Sequence, residues 1–504
     1  MRKFLLIGLS TFALGAAAMA SADQLTRAKT SETYKSRERF SDVLTTIRQQ
    51  YVVPVDDKKL IQAAIDGMLT SLDPHSGYLN PEGFGDMREE TRGQYGGLGL
   101  EVTTEDGAVK VISPMDGTPA ARAGVMAGDY ITAIDGNSIL GLNLTDAVKQ
   151  MRGAVGTPIT LTIARERQSP FTLKLTREVI DVKTVHSRPI GDIGYLRVSG
   201  FDERTGEETT AALKDLKAKI PHMKGLVLDL RNNPGGLVES SVEVASDFLD
   251  GGEVVSQRGR DAKDIERYNA RPNGDMIRGV PVTVLINNGT ASAAEIVSGA
   301  LKDRQRATIL GLTSFGKGSV QTVIPLRNGA DGAVKLTTAK YYTPSGQSIQ
   351  KTGIIPDLQV ARSKAEAEAV TDMAQQYSEA SFKNALDSQE GKVRRAADEI
   401  EIPADKPDVK VDDKDKDGKP KPRPLRSAFT LTDEDVAADF QLQRALDVLR
   451  LGSIKDARTA KPAKVFTVPK PAFAKAAVDG AKPVATPPGT PPAAAGNGTA
   501  PKKP

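Results

Sequence analysis

The chain has 504 residues, which at roughly 150 residues per domain suggests two to four domains. Its composition, 39% apolar and 26% charged, is that of a globular protein rather than a collagenous, mucin-like or multi-span membrane one. With no cysteine and only three histidines, thiol catalysis, c-type haem, iron–sulfur clusters, cysteine zinc sites and disulfides are excluded, and a histidine triad or metal site has little to draw on. The net charge of +4 predicts no nucleic-acid binding. The chemistry must come from Ser, Thr, Lys, Asp, Glu and the backbone, and no metal or cofactor is expected.

Residues 1–22 read as a cleavable export signal. Arg2 and Lys3 precede the uncharged apolar run Phe4 to Ala18, followed by small residues around Ala18-Met19-Ala20 or Ala20-Ser21-Ala22. The run is short for a membrane span, which takes about 20 residues, so no span is expected after cleavage, and a periplasmic location is the expectation. Residues 28–90 should form a helical region. Phe40, Val43, Leu44 and Ile47, then Leu60, Ile61, Ala64, Ile65, Met68 and Leu69, recur at helical spacing. The turn Leu72-Asp73-Pro74-His75-Ser76-Gly77 ends the second helix.

Residues 91–168 change to short strands punctuated by Gly, Pro and Asp, with a helix from Leu144 to Met151. Residues 169–360 alternate strands and helices, among them the buried strands Gly225 to Leu230 and Val282 to Ile286, which predicts α/β layers around a buried sheet. Residues 361–504 form an extension: helix-prone from Ser363 to Glu390, a charged linker from Asp405 to Arg426, an amphipathic helix from Thr432 to Leu451, and a Pro/Lys/Ala-rich tail from about 461 that is expected to be disordered. The Thr432–Leu451 helix is a candidate for self-association. Asp413-Lys-Asp415-Lys-Asp417-Gly418 imitates the start of a calcium loop, but Pro424 stands where the bidentate Glu belongs.

Three loops could carry chemistry. In the first, the strand Val282 to Ile286 runs through a polar turn into a helix with Ser292 at the junction, where unpaired N–H groups could stabilise an oxyanion. Ser292-Ala-Ala-Glu295 is equally an S-x-x-E capping box, which needs no function. In the second, Lys317 stands between Gly316 and Gly318. A serine nucleophile needs a base, and lysine can serve if burial keeps it neutral, at about 1.4 kcal/mol per pKa unit. The alternative is an exposed loop lysine. His75, His186 and His222 read as solvated or packed. Gly311-x4-Gly316-Lys317 also fits part of a phosphate loop, but Gly318 replaces the required Ser or Thr and a strand pattern follows. In the third, Arg231-Asn232-Asn233-Pro234-Gly235-Gly236 could turn N–H groups into a cleft, or could be a plain strand–helix turn.

In this order the parts resemble the carboxy-terminal processing proteases, tail-specific serine peptidases with a Ser-Lys dyad. The resemblance covers roughly Glu32 to Val360. Gly96-Gly97-Leu98-Gly99-Leu100, Gly128-Asp129-x-Ile131-x-x-Ile134-Asp135-Gly136 and the helix near Asp146 look like a PDZ domain. Leu228-Asp229-Leu230 with the Arg231–Gly236 loop looks like the family's cleft loop. Asn288-Gly289-Thr290-Ala291-Ser292-Ala293-Ala294-Glu295 looks like its nucleophile motif, and Gly316-Lys317-Gly318-x-x-Gln321 like its base motif. Pro344 to Gln350 and Gly353 to Asp357 resemble the end of the core.

The resemblance implies an α+β multidomain chain: N-terminal helical segment, inserted PDZ domain, α/β protease core and partly disordered C-terminal extension. It implies Ser292 as nucleophile, Lys317 as general base and Gln321 holding the lysine amine. The backbone N–H of Ala293 and of Gly235 or Gly236 would form the oxyanion hole, and Gly97, Leu98, Gly99 and Leu100 would bind a substrate's terminal carboxylate. The expected function is an exported serine endopeptidase acting on proteins or peptides with accessible C-termini, gated by its PDZ domain. An adaptor protein and a homo-oligomer are left open. The alternative is a non-catalytic PDZ scaffold that binds extended peptides.

Overall fold

The computed structural model describes residues 32–387, 399–403 and 431–467, apart from single positions 106, 116, 167, 262 and 377. The export signal, the calcium-loop imitation and most of the C-terminal tail lie outside the described residues.

The core is a six-stranded sheet. In chain order its strands are β1 (Val185–Ile190), β2 (Ile193–Val198), β3 (Gly225–Asp229), β4 (Val282–Ile286), β5 (Ala307–Gly311) and β6 (Leu358–Gln359), and they lie side by side in that same order. β1 and β2 form an antiparallel hairpin, and every later pairing is parallel. Alternation along each strand explains the layers. Leu226 and Leu228 of β3 and Val282, Val284 and Ile286 of β4 pack under helices α1 (Thr205–Lys219), α2 (Val238–Ser246) and α3 (Ala293–Asp303). Tyr195, Val227 and Leu285 point to the opposite face.

That opposite face is covered by the C-terminal extension. Helix α4 (Phe440–Leu451) lays Leu442, Ala445, Leu446 and Leu449 on Val227, Leu285 and Leu310. The amphipathic stripe expected to mediate self-association is therefore spent inside the chain. The single helix expected from Thr432 breaks at Asp439, which leaves helical geometry and caps α4 by accepting the Leu442 N–H at 3.1 Å. The tail also begins later than expected: Lys464–Thr467 is a strand paired with Glu399–Ile402.

A second sheet holds Ser319–Pro325, Ala333–Tyr342, Glu253–Arg258, Ile265–Asn269 and the N-terminal strand Gly77–Leu79. The segment carrying Lys317 crosses from β5 to this sheet, and the strand that follows rules out a phosphate loop, which needs a helix there. A six-stranded sheet within Leu100–Thr176, with helix Leu144–Met151, forms the β-rich module around its own core. Gln94–Gly97 pairs with Glu178–Asp181, so the chain enters and leaves the module through one ribbon. Among the described residues no helix is long and apolar enough to cross a membrane.

Candidate active site

Ser292 is the N-cap of α3 and sits at φ 54°, ψ −118°. A serine in that region carries about 1–3 kcal/mol of backbone strain, which persists only where the surroundings impose it. Asn287 supplies part of that constraint. Its Oδ1 accepts the N–H groups of Asn232 (2.9 Å) and Gly289 (3.1 Å), and its Nδ2 donates to Asn232 Oδ1 at 2.8 Å. Thr290 Oγ1 donates to the Leu230 carbonyl at 2.8 Å, and the Ala291 N–H to the Asn233 carbonyl at 2.9 Å. These bonds lace the serine turn to the Arg231–Gly236 loop.

Glu295 then ties this turn to the lysine loop. The Glu half of the capping box forms, with the Ser292 N–H donating to Glu295 Oε2 at 2.9 Å. The same oxygen accepts the Lys317 N–H at 2.9 Å, while Oε1 accepts the Gly316 N–H at 2.7 Å and the Ser314 hydroxyl. The carboxyl is fully buried. Burial pushes its pKa up to about 7, against the lowering effect of Ser314 and of the Gly316, Ser292 and Lys317 N–H groups. From its own segment Glu295 reads as a cap, whereas the structure has it touch both loops, alongside the Phe315 N–H, which donates to the Thr290 carbonyl at 2.9 Å.

Lys317 is partly buried. Burial, and then repulsion from Lys335, lower its pKa, opposed by Glu379 and Glu295. Among the described residues its amine makes no ion pair or hydrogen bond. Gln321, expected to hold that amine, instead donates to Ser319 Oγ at 2.9 Å and Thr337 Oγ1 at 3.2 Å. Thr337 in turn donates to Asp73 Oδ1 at 3.0 Å, so Gln321 faces the N-terminal turn.

Gly235 is pressed against the serine. A Cβ there would lie 2.7 Å from Ser292 Cβ and 3.0 Å from the Ala293 nitrogen, and its φ is +102°. Its own N–H donates to Asn233 Oδ1 at 2.9 Å within the loop. Ala293, as the first residue of α3, and Gly236 have N–H groups without a backbone acceptor among the described residues. Behind the loop, the Arg231 guanidinium bonds buried Asp229 (2.9 and 2.6 Å), Asp439 (3.1 Å) and Gln441 (3.0 Å). Burial works to raise the Asp229 pKa, but Arg231 outweighs it and keeps the carboxyl below its usual range.

The β-rich module carries a groove between strand Leu100–Glu105 and helix Leu144–Met151, lined by Gly97, Leu98, Gly99, Leu100, Val148 and Met151 among others. The loop is fixed by its carbonyls: Leu98 accepts from Ala120 at 3.0 Å and Gly99 from Met115 at 2.9 Å. Arg152, at the end of the helix, lies 4.2 Å over the Tyr95 ring. Among the described residues no cluster of His, Asp and Glu is arranged to hold a metal ion.

Comparison with known proteins places these features. Residues 192–360 match the peptidase family S41 profile, 110–165 a PDZ domain, and 8–83 the activating protease CtpB N-terminal domain. A carboxy-terminal-processing protease of Bartonella bacilliformis is 54% identical over 350 residues, 69% of this chain and 80% of that one. A "Probable CtpA-like serine protease" of Staphylococcus aureus is 38% identical over 327 residues, 64% of each chain. The solved photosystem II D1 C-terminal processing protease is 32% identical, covering 65% of this chain and 92% of that one, with a TM-score of 0.39. This chain is a member of the carboxy-terminal-processing proteases of peptidase family S41.

Proposed function

We propose that the protein is an exported serine endopeptidase in which Ser292 is the nucleophile and Lys317 its general base. The observation that carries this reading is the Glu295 carboxylate, whose one oxygen accepts the backbone N–H of both Ser292 and Lys317 at 2.9 Å. The nearest structural alternative, a simple helix cap, would not bring the lysine loop to the same oxygen.

In this scheme the neutral Lys317 amine takes the Ser292 hydroxyl proton as Oγ bonds to the scissile carbonyl carbon. The carbonyl oxygen becomes an oxyanion, held by the Ala293 and Gly236 N–H groups at the start of α3, where the helix dipole adds to the attraction. The Lys317 ammonium then returns the proton to the leaving amine as the C–N bond breaks. Water, deprotonated by the same lysine, releases the acyl group from Ser292. The PDZ groove takes the substrate's terminal carboxylate on the Leu98–Leu100 loop and adds its chain alongside strand Leu100–Glu105. Occupation of that groove brings the Lys317 amine and Ser292 hydroxyl, with Gln321 turning toward the amine, into hydrogen-bond reach.

A fluorophosphonate, which phosphonylates activated serines with loss of fluoride, tests the assignment. Mass spectrometry should find the adduct on Ser292, and Lys317→Ala should slow its formation at least a hundredfold. Labelling at wild-type rate in Lys317→Ala would remove the lysine from the mechanism.

A further inference from the structure

The segment after the last core strand holds a buried acid that the reaction scheme leaves unused. Glu379, in the short 3-10 turn Glu379–Ser381, has a fully buried side chain. Its Oε2 lies 2.8 Å from His75 Nε2, its Oε1 accepts from Gln350 Nε2 at 2.8 Å, and its N–H donates to the Phe315 carbonyl at 3.1 Å. Gln350 carries the connection onward, because its Oε1 accepts the Gly318 N–H at 2.9 Å. Phe382 stands 6.1 Å from both the His75 and the Phe315 rings.

We propose that Glu379 is a positioning residue for the catalytic base, fixing the Phe315–Gly318 loop on both sides of Lys317 and coupling it to the N-terminal turn through His75. This rests on Lys317 being the base. A buried carboxylate is costly unless paired and hydrogen-bonded, and a plain salt bridge would need only His75. Here the carboxylate's other oxygen reaches Gly318 through Gln350, and the residue's own N–H bonds Phe315, so its side chain and backbone hold the residues that bracket the lysine. The charged groups acting on the amine are Lys335 from strand Ala333–Tyr342, Glu295 from α3, and Glu379. Glu379 favours the ammonium and opposes Lys335, so it restrains how far burial can neutralise the base.

The test uses the full chain with Glu379→Gln, which keeps size and an acceptor for Gln350 but removes the charge. Two readouts are needed: the pH profile of kcat/KM, and the pH dependence of Lys317 acylation by an amine reagent, followed by mass spectrometry without reliance on turnover. The acid limb and the labelling midpoint should both move to lower pH, with plateau kcat several-fold lower and KM unchanged. Glu379→Asp, which keeps the charge on a shorter arm, should leave the limb in place and lower kcat. An unmoved limb and an unmoved labelling midpoint in Glu379→Gln overturn the proposal. So does a wild-type kcat in Glu379→Asp, which also serves should Glu379→Gln fail to fold. If labelling moves while Lys317→Ala still cleaves substrate, the base assignment falls and the action of Glu379 on Lys317 stands.

Discussion

Replacing Glu295 by Gln separates what this carboxylate does for folding from what it does for the site. Its pKa of about 7 in the folded chain, against 4.5 for a free glutamate, means that the native state holds the proton more tightly than the unfolded one. The group's contribution to stability is therefore complete below pH 4.5 and is lost as pH rises through about 7, a loss of about 3 kcal/mol. Glutamine mimics the protonated acid in shape and acceptor number. Above pH 8 removing the buried charge gains up to about 3 kcal/mol, while two donors left without an acceptor cost about 1–3 kcal/mol each, so the variant should lie within about 3 kcal/mol of wild type, measured by urea denaturation. Activity should fall sharply. The amide nitrogen cannot accept, so two of the four donors (Ser292 N–H, Lys317 N–H, Gly316 N–H and the Ser314 hydroxyl) lose their partner and the two loops separate. A displacement of about 1 Å at a reacting group costs on the order of a hundredfold, and kcat on an unstructured protein substrate should fall by at least that. A variant with wild-type kcat would refute the clamp. One destabilised by more than about 3 kcal/mol at pH 8 would refute the energy balance, showing that the four bonds outweigh burial of the charge.

Two further outcomes follow from the packing. Gly235→Ala should abolish cleavage, because its methyl would stand 2.7 Å from Ser292 Cβ at a backbone φ of +102°; full activity would contradict the close approach of the two loops. Truncation before residue 431 should give insoluble protein. Removing Leu442, Leu446 and Leu449 alone forfeits roughly 5–9 kcal/mol of burial, comparable to a whole domain's stability of about 5–15 kcal/mol, and uncovers the second face of the sheet. A soluble, active truncated enzyme would contradict that role.

Local signals carried the loops well. The strand–turn–helix around Ser292, the glycine-flanked lysine and the α/β alternation all follow from residue patterns a few positions long. What escaped depends on contacts between distant parts of the chain. Glu295 satisfies a cap motif by itself, and nothing near it shows that Lys317 supplies another of its donors. His75 and Glu379 meet across 304 residues of sequence, each unremarkable in its own segment. The apolar stripe of α4 was visible, but a stripe does not name its partner. The face it covers belongs to strands whose continuous apolar runs already announced burial on both sides. Gln321 shows the opposite limit: its motif spacing suits an amide on the lysine, while Ser319 and Thr337 hold it in this structure.

The central claim is a serine activated by a lysine, and cleavage of an unstructured protein with an apolar C-terminus tests it most directly. Wild type, Ser292→Ala and Lys317→Ala would be compared at equal concentration, with peptide binding to the PDZ groove followed in parallel. The account predicts cleavage by wild type alone and the same peptide affinity in all three; turnover by Lys317→Ala near the wild-type rate would contradict it.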